Sequence, residues 1–160
     1  MPITETTLLF FDSSCLIAAA GSPTGGSSLL LAICARGFLQ GAVSRAVLAE
    51  AEGNILTNLP PPALTRYHQE ILSMPLVIGP MPGTPEREAV AALTGAKDAH
   101  VLAGALRVGA QFLITLDRQL AHRITHEVEE RALSIHALIP GEFVRQELTR
   151  YPSYPVIRPD

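Results

Sequence analysis

The chain contains four aspartates, Asp12, Asp98, Asp117 and Asp160, and three of them stand where a carboxylate can do chemistry. Asp12 follows the apolar run Leu8-Leu9-Phe10-Phe11, and Asp117 follows the run Phe112 to Leu116. Both runs read as buried parallel strands, and the carboxyl ends of such strands share one sheet edge, where ligands bind. Asp98 opens a helical pattern and shares a face with Val101, Leu102 and Ala105. That face turns toward the sheet, where an unpaired charge is expensive. Glu50 repeats the pattern beside Val47, Ala51 and Asn54, while its rival Glu52 falls on a wetter face. Clustered carboxylates raise one another's proton affinity unless a cation sits among them. Hard oxygen donors with no Cys or His suit Mg²⁺ or Mn²⁺ rather than Zn²⁺. Such an ion activates water and stabilises the charge of a phosphodiester under hydrolysis. Each residue also has a structural alternative: a turn former or cap for Asp12 and Asp117, a dipole partner for Asp98, a solvated helix residue for Glu50. One shared site accounts for all four together.

The elements that must position these acids alternate along the chain. After the strand at Leu8 to Phe11 comes a Gly/Ser/Pro loop from Gly21 to Ser28, then a helix from Ser28 to Ala35 closed by Gly37. A strand at Phe38 to Val43 leads to Ser44, the N-cap of a helix through Glu50 and Ile55. Pro60-Pro61-Pro62 breaks the chain before a helix from Ala63 to Ser73 and a strand at Leu76 to Ile78. Thr84, as cap, and Pro85 start a helix that stops near Gly95, and another runs from Lys97 to Val108, closed by Gly109. A strand at Phe112 to Leu116, a fifth at Leu133 to Ala137 and a helix from Pro140 to Leu148 complete the pattern. Strand–helix alternation predicts an α/β protein whose mostly parallel sheet of four to five strands is covered on both faces. We expect one domain over residues 1–150 and an extended tail over residues 151–160.

Composition bounds the function. With 160 residues, 48% of them apolar, and a net charge of −3, the chain has core for one domain and is not of the disordered class. Cys15 and Cys34 lie in apolar surroundings, too few for a disulfide scaffold, and read as packing residues of a reduced compartment. No apolar run approaches the ~20 residues of a spanning helix, and Met1 to Thr7 carries Glu5 and no basic cluster. The expected location is cytoplasmic, without a membrane partner. Fifteen acids against 12 bases argue mildly against nucleic acid, but 11 of those bases are arginine, which grips phosphate bidentately. Arg45, Lys97 and Arg118 each adjoin an acidic motif; they are candidates for phosphate contacts or for ion pairs with the acids.

Other constellations fail. Gly21, Gly25 and Gly26 lack the G-x-G-x-x-G spacing, and no lysine follows them as in a P-loop, so no nucleotide cofactor is expected. Ser14 stands where a phosphoaspartate enzyme of the haloacid-dehalogenase type has its second Asp. His122 and His126, with Glu127, have no H-E-x-x-H arrangement and read as a solvated helix face. His100 either orients substrate or is a partly buried core histidine.

The ordered segments Phe10-Phe11-Asp12-Ser13-Ser14, Ser44 to Glu50, Lys97-Asp98-Ala99-His100-Val101-Leu102-Ala103 and Leu113-Ile114-Thr115-Leu116-Asp117 resemble the PIN-domain nucleases. Ile139-Pro140-Gly141-Glu142-Phe143 looks like the closing helix of their small, toxin-like VapC-type subgroup, and the resemblance runs from Leu8 to Glu147. It implies a three-layer α/β/α Rossmann-like PIN fold and Mg²⁺- or Mn²⁺-dependent endonucleolytic cleavage of RNA. It further implies a toxin paired with an antitoxin protein, commonly as a homodimer, which would bring arginines of two chains to one groove. By position, Asp12, Glu50, Asp98 and Asp117 would be the catalytic, metal-binding acids, with Ser13, Ser14 and Thr115 as supporting hydroxyls. Where many relatives carry a further acid or Asn, this chain has Gln119, which can hold a metal-bound water but removes a charge. One metal or two both fit that departure. Two other readings share the same residues: a non-catalytic PIN-like RNA- or protein-binding module, and a PIN-type DNA nuclease.

Overall fold

Leu8–Phe11 forms β1, the central strand of a five-stranded sheet in the computed structural model, which describes residues 3–131, 133–152 and 154–157. The other strands are β2 (Gln40–Ser44), β3 (Val77–Gly79), β4 (Phe112–Ile114) and β5 (His136–Leu138), in the order β3-β2-β1-β4-β5. Every pairing is parallel: Phe10 lies opposite Ala42 on one side and Leu113 on the other, Val43 opposite Ile78, and Ile114 opposite Leu138. Leu9, Phe10 and Phe11 are fully buried, as their unbroken apolar run requires of a strand covered on both faces. Each contributes about 1.5–3 kcal/mol of apolar burial.

The helices are α1 (Ser13–Gly21), α2 (Gly26–Ala35), α3 (Arg45–Asn58), α4 (Pro61–Arg66), α5 (Thr84–Thr94), α6 (Ala99–Arg107), α7 (Arg118–Arg131), α8 (Pro140–Gln146) and a short α9 (Tyr154–Ile157). The chain steps outward from β1 to β2 to β3, then returns across the sheet to β4 and β5. Right-handed crossovers therefore place α1 to α4 on one face and α5 to α7 on the other, and α1 packs on α2, α3 and α4 while α5 packs on α6 and α7. This is the three-layer α/β/α architecture the sequence pattern predicts. A Cβ added to Gly104 would lie 3.1 Å from the Phe10 ring, so the missing side chain lets α6 settle onto the central strand. Gly109, at φ 73°, ends that helix in the left-handed region. Glu86 holds α5 to α6 through a 2.6 Å ion pair with Arg107.

Several boundaries differ from the sequence reading. Helix α1 occupies Ser13–Gly21, a stretch with no expected helix, because its small apolar residues show little one-sided pattern. The helix before β3 splits into α4 and a π-helical turn at Tyr67–Ile71, where the buried Tyr67 hydroxyl donates to Leu48 O at 3.0 Å. Gly83, not Thr84, caps α5, because Glu86 then sits three residues on and accepts from Gly83 N. Strand β5 begins at His136 rather than Leu133. The tail is not simply extended over its described residues: Tyr151 is buried, its hydroxyl donates to Phe38 O at 2.8 Å, and α9 adds a helical turn. Asp160 lies outside the described residues. No single described helix is long and apolar enough to cross a membrane; α1 and α2 reach that length only together, bent by 101°, and both bury side chains in the core.

Candidate active site

The strand order reverses at β1, whose neighbours β2 and β4 are reached by crossovers on opposite faces. The loops leaving β1 and β4 part there and open a crevice, the usual ligand position of an open parallel sheet. Asp12 leaves β1 and Asp117 follows β4. A cleft of about 370 Å³ opens at this point, lined by Asp12, Glu50, Asp98, Asp117, Lys97 and the two serines Ser13 and Ser14, with Ile17 and Asn54 at its side. The four acids named from the sequence thus share one cleft, while Glu52 lies elsewhere, 3.4 Å from His68.

One wall of the cleft belongs to the sheet. Asp12 is buried, 7% exposed, and its Oδ2 accepts from the Thr115 hydroxyl at 2.8 Å and the Ser14 hydroxyl at 3.0 Å. Each of those hydroxyls also accepts a backbone N–H: Thr115 from Asp117 at 3.1 Å, Ser14 from Leu116 at 3.1 Å. Two side chains therefore tie the end of β1 to the loop after β4. Asp117 caps α7, its Oδ1 accepting from Leu120 N at 3.0 Å, so the capping alternative and the cleft position hold at once. Behind Asp12, Cys15 donates to Ile114 O at 3.3 Å; burial, then the Asp12 charge, push its thiol far above its ordinary range. It stays a protonated packing group.

The opposite wall comes from α3 and α6. Asp98 occupies the N-cap position of α6 yet makes no capping bond with its carboxylate. Burial raises its pKa above the ordinary value, the charges of Asp12 and Asp117 push the same way, Lys97 opposes them, and Glu50 adds a further push. Glu50 rises from α3, accepts from the Ser13 hydroxyl and lies 3.5 Å from His100 Nε2. Nδ1 of His100 is buried with no hydrogen-bond partner among the described residues.

Among the phosphate candidates, Lys97 lines the cleft, whereas Arg45 and Arg118 are exposed and do not. Gln119 is also outside it, on an open concavity with Arg118, His122 and Arg123. Ile17 and Asn54 are cleft residues the sequence reading did not single out; Asn54 carried a signal, standing one turn after Glu50. Among the described residues, no three His, Cys, Asp or Glu side chains converge closely enough to hold one ion as they stand.

No protein-family model matches the sequence, and no curated protein matches it. Solved structures do match. A chain in the crystal structure of VapBC2 from Rickettsia felis, bound to a DNA fragment from their promoter, aligns with a TM-score of 0.61 at 15% identity. The alignment covers 83% of this chain and 98% of that one. The crystal structure of PAE2754 from Pyrobaculum aerophilum aligns with a TM-score of 0.55 at 21% identity, over 85% and 92% of the two chains. The fold is a PIN fold. At these identities the likeness is one of backbone course. In this PIN fold the cleft falls where strand order alone predicts a ligand site.

Proposed function

We propose that this PIN-fold chain is a Mg²⁺- or Mn²⁺-dependent endoribonuclease, the toxin of a toxin–antitoxin pair, acting in the cytoplasm as a homodimer. The observation that carries the reading is the pairing of four carboxylates in one cleft with an Asp98 whose proton affinity is raised by burial and by its acidic neighbours. That electrostatic imbalance is the signature of a site completed by a cation, and the all-oxygen donor set fits a hard divalent ion. Glu50 stands on a half-exposed side chain at the cleft, opposite the buried Asp12.

Asp12, Glu50, Asp98 and Asp117 would hold the metal, which when bound supplies Lewis-acid polarisation of the phosphate and a lowered pKa for water. Asp12 is oriented before any ligand arrives, because Ser14 and Thr115 fix its Oδ2. Ser13 and His100 set the resting position of Glu50. Lys97, the cleft's cation, offers an ammonium to a phosphate oxygen and offsets part of the acidic field that would repel the strand. Water attacks phosphorus and the 3′ or 5′ oxygen leaves, with no covalent enzyme intermediate. The VapBC2 likeness supports a cognate antitoxin as the protein partner.

The test is incubation of labelled single-stranded RNA with the purified protein and Mn²⁺ or Mg²⁺, beside EDTA, an Asp12→Asn variant and a DNA oligonucleotide of the same sequence. Cleavage of RNA that disappears in EDTA and in the variant is the expected result. Cleavage of DNA alone reassigns the substrate. Binding without cleavage under every metal makes the chain a binding module.

A further inference from the structure

Outside the cleft, two arginines of α7 share one concavity. Arg118, Gln119, His122 and Arg123 line an open depression of about 410 Å³ on the outer side of α7. Neither arginine forms an ion pair among the described residues, and no acidic side chain lines the depression. Arg118 and His122, one helical turn apart, also wall a neighbouring groove of about 480 Å³ that runs past Thr125 to Glu142 and Gln146 of α8. Glu142 makes that second groove a poorer host for an anion. The depression adjoins the cleft through the chain itself, since Arg118 directly follows Asp117.

We infer that Arg118 and Arg123, with Gln119 and His122 between them, form a phosphate subsite for the RNA strand beyond the scissile bond. The inference rests on the nuclease reading and deepens it. Two guanidiniums present forked donors to phosphate oxygens, while Gln119 and His122 add neutral hydrogen-bonding groups. The placement answers the difficulty raised by a net charge of −3: affinity for the strand comes from a local basic face on α7, not from the chain as a whole. It also gives Gln119 a role apart from the metal, which its position away from the cleft favours.

The experiment measures binding of a short labelled single-stranded RNA in EDTA across a salt series, then the KM for RNA cleavage with Mn²⁺. The double variant Arg118→Ala/Arg123→Ala is compared with Arg87→Ala/Arg150→Ala, which removes the same charge from other elements; melting curves confirm that all remain folded. The expected result is roughly tenfold weaker binding for the α7 double variant alone. The slope of log affinity against log salt should fall by about 0.7 for each lost phosphate contact on a single strand. KM should rise while kcat holds. Equal losses in the two double variants would reduce the effect to net charge and overturn the subsite. So would unchanged binding by the α7 variant while the wild type still cleaves RNA, which leaves the nuclease reading intact. A wild type that neither binds nor cleaves RNA overturns both, and a loss seen only with a DNA oligonucleotide overturns RNA as the occupant.

Discussion

The two walls of the carboxylate cleft carry charge in different ways. On the sheet wall, Asp12 is almost fully buried, yet the Ser13, Ser14 and Thr115 hydroxyls donate to it and Asp117 accepts a helix N–H. On the helix wall, Asp98 is more open, makes no capping bond, and has its proton affinity raised. Burial disfavours a carboxylate's charge and hydrogen-bond donors favour it, and the two walls supply them in different proportion. The sheet wall is a finished structure before any ligand arrives. The helix wall gives the Asp98 carboxylate no capping donor, and under the metal-dependent reading proposed above it is this wall that a cation would complete.

The contrast can be broken from either side. Saturating the EDTA-stripped protein with Mn²⁺ at about a hundredfold over its Kd should stabilise it by about 2.7 kcal/mol, read as a rise in melting temperature; no rise would remove the helix wall's supposed need. Thr115→Val should cost about 1–3 kcal/mol in metal-free urea melts, because it strips a donor from buried Asp12 and an acceptor from Asp117 N. Gly104→Ala should cost on the order of 1 kcal/mol and loosen Mn²⁺ binding, since the new methyl presses on the Phe10 ring and lifts α6, the carrier of Asp98. The smallest effect has the opposite sign. Because the folded-state pKa of Asp98 lies above its ordinary 3.8, its ionisation opposes folding as pH rises past that value. Asp98→Asn should slightly raise the melting temperature in EDTA near neutral pH, with the gain shrinking toward zero as pH falls to about 4. The same variant should lose Mn²⁺ stabilisation.

How much of this was legible in the sequence follows from which signals are local. Strand β1 and its terminal Asp12 were readable because an apolar run ending in an acid has few other meanings in an α/β chain. Ser44 as the cap of α3 was equally local, its hydroxyl accepting from Val47 N at 3.2 Å. Glu50 was separable from Glu52 by helical facing alone. Helix α1 was not readable: Cys15, Leu16, Ala19 and Ala20 are all buried, and Ile17 and Ala18 between them are apolar too, which erases the periodic contrast. The direction of Arg118 and Gln119 was not readable either. Asp117 caps α7, so the helix begins at once and carries the next two side chains away from the cleft, a turn that spacing from Asp117 does not reveal. The packing of Tyr151 depends on Phe38, more than a hundred residues earlier, which no window on the sequence spans.

The central position of β1 has a consequence for the time at which the protein becomes what it is. Asp12 is synthesised about a hundred residues before Thr115, one of the hydroxyls that donate to it, and the Thr115 N–H is itself held by Leu138 O at 3.1 Å. Pairings of such long sequence separation close late in folding. On the ribosome, a chain released as far as α5 has Asp12 and Glu50 but neither Asp98 nor Asp117, and no β4 to complete the floor between them. The cleft therefore stays incomplete on the ribosome until nearly the whole sheet has emerged.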